Sequence, residues 1–164
     1  MNDQETRSVI TRLVSGGQTG VDRAALDVAL ERGVPHGGWC PRGRLAEDGT
    51  IPEHYKLRET RSSAYKVRTE RNVLDSDGTL IVYRGTLSGG TLLTRRLAER
   101  HGRPCLPVDL AAATSARDVA EWLRHERIGV LNVAGPREST SPGIGRQARE
   151  FLCEVLRLLS TGAD

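Results

Sequence analysis

The chain has 164 residues, expected to form one domain over 1–164, and a chain this size buries roughly 70% of its unfolded surface without staples. Hydrophobic residues make up 37% and charged residues 27%, and no apolar run approaches membrane-spanning length, which excludes a disordered chain and a helical membrane span. The 24 basic and 21 acidic side chains leave a net charge of +3, too even for a dedicated nucleic-acid binder. Residues 56–71, KLRETRSSAYKVRTER, hold six bases and two acids, so this segment alone is +4 and the rest of the chain −1. Such a concentration suits either a solvated helix face or a site for a small anion. Cys40, Cys105 and Cys153 lie far apart without ligand spacing, as do the four histidines. This predicts a reduced compartment, the cytoplasm, and neither a disulfide framework nor a metal site. The opening MNDQETRSVI has no apolar core, and no secretory signal is expected.

In chain order, Val9–Val14 reads as a strand. Val21–Arg32 follows as a helix, with Val21, Ala25, Val28 and Ala29 on one face and Gly33 as its stop. Val34–Trp39 is a short strand, and residues 41–62, rich in Gly, Pro and charge, form a long irregular connection. A helix from about Ser63 to Asp75, capped by Ser62 or Ser63, leads into the strand Thr79–Tyr83. Thr91–His101 is a helix stopped by Gly102 and Pro104, and Cys105–Leu110 a strand in which Pro107 points to an edge. Ser115–Arg127 is a helix opened by a Ser-x-x-Asp box, Ile128–Val133 a strand, and Pro142–Leu159 the last helix, with Pro142 in its first turn. Alternation of short apolar runs with helical patterns defines an α/β fold: a Rossmann-like three-layer sandwich on a mostly parallel sheet of about five strands.

Ligands of such sheets bind beyond the carboxyl ends of the strands, and three glycine-rich turns fall there. The first is Ser15-Gly16-Gly17-Gln18-Thr19-Gly20, with Asp22 opening the helix behind it. Asp22 is either a first-turn acid favouring the helix dipole or an acceptor for a ligand hydroxyl. The second, Gly85 to Thr91, adds the hydroxyls of Ser88 and Thr91 to the amides of Gly89 and Gly90. The third, Gly135-Pro136-Arg137-Glu138-Ser139, offers Arg137 as a fork for an anion, while Asn132 inside the preceding strand reads as a core amide. Glycine amides at helix N-termini suit a phosphate, although any one such turn is weak evidence. On the helix before the second turn, Tyr65, Arg68, Asn72 and Asp75 fall along one polar face, with Arg68 and Glu70 placed nearest a pocket. Lys66 falls about 160° from Arg68 and is expected in solvent.

The segments SGGQTGVDRAALDVA, GGWCPRGRLAEDGTIPEHY, YKVRTERNVLDSDGTLIVYRG, SGGT and LNVAGPREST together resemble the "putative molybdenum carrier" family. That family is similar to a circularly permuted branch of the SLOG superfamily (Smf/DprA and Lonely-Guy) of Rossmann-like nucleotide-binding domains. The resemblance covers residues 9–159. It implies that Gly89, Gly90 and Thr91 correspond to the superfamily's phosphate-binding turn, with Arg68 on the helix leading to it. It also implies a homo-oligomer, a dimer or higher, for which Phe151, Leu152, Val155, Leu156 and Leu159 of the last helix would offer an apolar face. Lonely-Guy phosphoribohydrolases carry a glutamate just after the glycine turn, where this chain has Leu92, Leu93, Thr94 and Arg95.

The leading expectation is a protein that binds a small phosphorylated heterocycle, a nucleotide or the pterin of molybdenum cofactor, without needing a cofactor of its own. Amides of the glycine turns with Arg68 or Arg137 would hold the phosphate, and Gln18, Asp22 and Asn72 would contact sugar or ring. The alternative is a nucleoside 5'-monophosphate phosphoribohydrolase, with Arg68, Glu70 or Asp22 as the groups available for catalysis.

Overall fold

The computed structural model describes residues 10–161. Five strands form one sheet, all parallel: β1 (Arg12–Val14), β2 (His36–Gly37), β7 (Gly78–Tyr83), β8 (Cys105–Asp109) and β9 (Val130–Ala134), in the order β2-β1-β9-β7-β8. Leu13 lies opposite Leu131, and Leu80 opposite both Val133 and Leu106. Five helices complete the fold: α1 (Val21–Arg32), α2 (Tyr65–Leu74), α3 (Gly89–Arg100), α4 (Ala116–His125) and α5 (Ile144–Thr161).

Alternation along the strands sorts the layers. Leu13, Leu80, Val82, Leu131 and Val133 project into the main core with Val28 of α1, Leu123 of α4 and Leu152 of α5. The opposite layer is thinner, with Val73 of α2 packed on Leu97 and Ala98 of α3. Between them the chain makes the three-layer sandwich that the alternating pattern implies.

The local signals that held are those written in contiguous residues. Gly33 ends α1 with φ 67°, its N–H donating to the Ala29 carbonyl. Ser115 caps α4 by accepting from the Asp118 N–H at 3.1 Å. Pro107 sits in β8, an edge strand, as its missing donor requires.

Several boundaries differ. The first strand is shorter than expected, and Val9 lies outside the described residues. The single strand expected over 34–39 is two: β2, and β3 (Trp39–Cys40), which leaves the main sheet to pair with β6 (Arg58–Glu59). Gly38 makes the break, because its φ is 127° and a Cβ there would overlap the Ser15 carbonyl. Residues 41–62 also contain a hairpin of β4 (Leu45–Ala46) and β5 (Gly49–Thr50). Ala64, not a serine, is the N-cap of α2, and the Ser62 hydroxyl instead accepts from the Ala64 N–H at 3.0 Å. Helix α3 begins at Gly89, so Gly89, Gly90 and Thr91 are its first turn. Helix α5 begins at Ile144 rather than Pro142, because Gly143 at φ 83° is left-handed and cannot continue a helix from Pro142.

The apolar residues of α5 are used inside the domain. Leu152, Val155 and Leu159 are buried in the core, and Phe151 and Leu156 pack against it half-buried. Most of their surface is spent inside the domain, and Phe151 and Leu156 alone of the five keep more than a trace of exposure.

Candidate functional site

Parallel strands place every strand-to-helix turn at one rim, and there a cavity of about 680 Å³ opens, within the usual size of a small-molecule site. Residues of all three glycine turns line it: Gly16, Gln18 and Asp22; Ser88, Gly89, Gly90 and Thr91; Gly135 and Arg137. Helix α2 forms a further wall with Tyr65, Arg68 and Asn72. The three turns thus share one pocket.

Arg68 is the most deeply held cation in the site, 8% exposed. Its Nη1 donates to the Gly16 carbonyl at 2.7 Å and its Nε to the Thr69 hydroxyl at 3.2 Å. A Cβ at residue 16 would overlap this guanidinium, which is why the first turn needs glycine there. The Tyr65 ring has Arg68 at 5.2 Å and Arg137 at 5.5 Å from its centroid, a contact that holds two like charges near one another. Arg84, just past β7, donates to the Ser141 hydroxyl at 2.8 Å and to the carbonyl of Pro142 at 2.5 Å, tying the second turn to the third. The partners of Arg68 and Arg84 are neutral, so both charges remain available.

Four cations line the cavity, Lys66, Arg68, Arg84 and Arg137, against one carboxyl, Asp22. Asp22 Oδ2 accepts from the Gln18 N–H at 3.3 Å. Burial pushes its pKa up from 3.8 to about 6, against the opposing pull of the Arg68 charge. The Gln18 side-chain carbonyl accepts from the N–H groups of Thr19 (3.1 Å) and Glu47 (2.9 Å). Its Nε2 is buried and has no hydrogen-bond partner. At the second turn, the Gly89 and Gly90 amides are the first of α3 and have no acceptor within the helix. On the strand side, Asn132 Nδ2 donates to the Thr79 hydroxyl at 3.2 Å, so the expected core amide also lines the cavity.

Some expected ligand contacts have other work. Gly17, Thr19, Gly20 and Ser139 are not on the cavity wall. The hydroxyls of Thr19 and Ser139 both donate to the Glu47 carboxylate, on the loop of the β4–β5 hairpin. These bonds hold the Glu47 carboxyl below the usual carboxylate range. Arg23 fastens the same hairpin through Asp48 at 2.5 and 2.7 Å. The long connection is therefore a strap joining the first and third turns. Gly20 packs where a Cβ would meet the Pro136 carbonyl. Asn72 lines the cavity, yet its amide accepts from the Trp39 N–H (2.8 Å) and donates to the Trp39 carbonyl (2.9 Å), so both its polar ends are engaged. Asp75, on the same helical line, accepts from Trp39 Nε1 at 2.7 Å. Glu70 is off the wall and lies 3.8 Å from His101. Lys66, expected away from the pocket, lines it together with Arg68.

Arg84, Thr140 and Ser141 also belong to the wall and were not singled out in the sequence. For Arg84 the available signal was position: it is the first residue after the longest strand, at the carboxyl rim where ligands of such sheets bind.

A parallel α/β sheet with an electropositive pocket at its carboxyl rim, closed by the first turn of a helix, defines the class: a Rossmann-like domain. The chain belongs to the circularly permuted YpsA SLOG family, which matches residues 13–156. It is also similar to a crystal structure described as a "putative molybdenum carrier protein" from Syntrophus aciditrophicus SB. That likeness has 49% identity and a TM-score of 0.87, over 93% of this chain and 98% of the other. No protein in the curated set matches. Among the described residues, no helix is long and apolar enough to cross a membrane, and no cluster of His, Cys, Asp and Glu could hold a metal.

Proposed function

We propose that this protein binds a small phosphorylated heterocycle, a nucleotide or a pterin phosphate such as that of molybdenum cofactor, and serves as its carrier. The observation that carries the reading is the composition of the cavity: four cations and the free Gly89 and Gly90 amides of α3's first turn face one carboxyl. The phosphate belongs at Gly89, Gly90 and Thr91, where amides and helix dipole favour an anion, with Arg68 and Arg84 neutralising its charge. Of the remaining wall, Gln18 and Asp22 are assigned to the ring. The description of the structural relative as a molybdenum carrier supports the pterin arm. In that cofactor the metal is held by the cofactor's own dithiolene, so the protein's part is to bind phosphate and pterin. Native mass spectrometry of freshly purified protein tests this. The expected result is a species above the 17.9 kDa chain by the mass of a phosphorylated heterocycle. A bare chain that also fails to bind added nucleoside monophosphates or pterin phosphates would reject it. Self-association, drawn from the family resemblance, is part of the same proposal, and a light-scattering mass near 18 kDa would refute it.

One observation favours a second reading, hydrolysis of the N-glycosidic bond. Asp22 is a buried carboxyl whose pKa of about 6 suits proton transfer near neutral pH. Release of free base from a nucleoside monophosphate, lost in Asp22→Asn, would establish it.

A further inference from the structure

Gln18 and Asp22 form a matched pair that the phosphate does not use. Both line the cavity, and both side chains are more than nine-tenths buried, at 5% and 7% exposure. Asp22 is the one carboxyl on the wall, and its side chain makes no ion pair within 4 Å among the described residues. The Gln18 amide cannot turn over without cost. Its oxygen is held by two N–H donors, from Thr19 and from Glu47 on the strap. The orientation leaves Nε2 as a buried donor with no acceptor. An unpartnered buried donor is costly, and so is a buried carboxylate that the Arg68 charge offsets only in part and from beyond ion-pair distance. Both residues belong to the lining of one cavity, a carboxylate acceptor and an amide donor four positions apart in the chain, and the Gln18 backbone N–H already ties them at 3.3 Å.

We infer that Asp22 and Gln18 read the hydrogen-bonding edge of a 2-amino-4-oxopyrimidine ring, the edge that guanine and pterins share. On such a ring an N–H and an exocyclic amino group lie side by side and donate to the two carboxylate oxygens. The neighbouring oxo group accepts from the Gln18 amide. Adenine presents a ring nitrogen lone pair where the carboxylate needs a donor, and hypoxanthine lacks the amino group. The site therefore discriminates by leaving its own buried groups unpaired when the wrong ring enters. This inference rests on the phosphorylated-heterocycle reading and names the class of ring within it.

Calorimetric titration of the wild-type protein with GMP, IMP, AMP and neopterin monophosphate, which all carry a phosphate, isolates the ring. The expected order is GMP and neopterin monophosphate roughly ten- to hundredfold tighter than IMP and AMP, the effect of losing a charge-assisted hydrogen bond. The tighter of the first two identifies the source of the ring. In Asp22→Asn, GMP should weaken to the level of IMP while AMP is little changed. Four like affinities would overturn the ring assignment and leave the phosphorylated-heterocycle reading standing. Binding of none would overturn both. Equal weakening of GMP and AMP in Asp22→Asn would mean that Asp22 contacts the sugar, and would overturn the assignment. The wild-type series decides the matter even if the variant folds poorly.

Discussion

Replacing Asp22 by Asn should stabilise the ligand-free protein, a consequence that separates what Asp22 does for binding from what it does to the fold. The carboxyl is buried, and its pKa rises from 3.8 to about 6 because desolvation outweighs the Arg68 charge and the amides of Gln18 and Gly16. At about 1.4 kcal/mol per pKa unit, keeping the charge in the folded state costs about 3 kcal/mol at neutral pH. The sign follows from the folded pKa lying above the unfolded one. Below pH 4 the group is protonated in both states and costs nothing; the penalty grows as pH rises and is complete above pH 6. Asn is isosteric and keeps an acceptor for the Gln18 N–H, which lies 3.3 Å from Oδ2. Its amide must also be buried, so about 3 kcal/mol is the upper bound, or about 6–12 °C in Tm for a chain of this size. Thermal melts of both proteins at pH 7.5 and pH 5 measure it. The gain at pH 5 should be about half that at pH 7.5. A variant less stable at pH 7.5, or a gain equal at the two pH values, would refute the assignment of a buried charge whose desolvation exceeds its stabilising contacts.

Arg68→Ala should weaken binding of a phosphorylated ligand roughly ten- to hundredfold, Arg68→Lys should recover part of that loss, and Arg95→Ala on the outer face of α3 should change nothing in the same titration. Gly16→Ala places a methyl where the Arg68 guanidinium lies, at a backbone position without positive φ. It should cost less than about 1 kcal/mol of stability in a denaturant titration, yet lower affinity nearly as far as Arg68→Ala. The double variant should be no worse than either alone, and additive losses would show that residue 16 acts independently. Glu47→Ala frees the hydroxyls of Thr19 and Ser139 and loosens the strap. Limited proteolysis should then cut within residues 45–50 faster than in the wild type, and an unchanged cleavage rate would count against the strap.

The parts of the fold legible in the sequence were those encoded by neighbours along the chain. Gly33 and the Ser115 box mark helix ends because their hydrogen bonds close within four residues. The split of the second strand was hidden because Gly38 yields to Ser15, a contact that only the folded sheet creates. Glycine turns after strands were enough to locate the rim and to name Gly16, Gln18, Asp22 and Gly89 to Thr91 as neighbours, and the polar line of the next helix added Arg68. What glycine and hydroxyl content could not reveal was which polar groups the protein uses for itself. Thr19 and Ser139 satisfy Glu47, 28 and 92 residues away, and Asn72 satisfies Trp39 across 33 residues. Lys66 shows the limit of a helical wheel: a long side chain on the flank of α2 reaches the same opening as Arg68. Arg84 lay within a family segment without being singled out, and its place after β7 sets it on the wall.

The most direct test of the central claim is a crystal structure of the protein with a bound nucleoside monophosphate or pterin phosphate. The account predicts the phosphate within hydrogen-bond distance of the Gly89 and Gly90 amides and the Thr91 hydroxyl, with Arg68 or Arg84 against it. A ligand bound elsewhere, or a phosphate seated away from the first turn of α3, would contradict it.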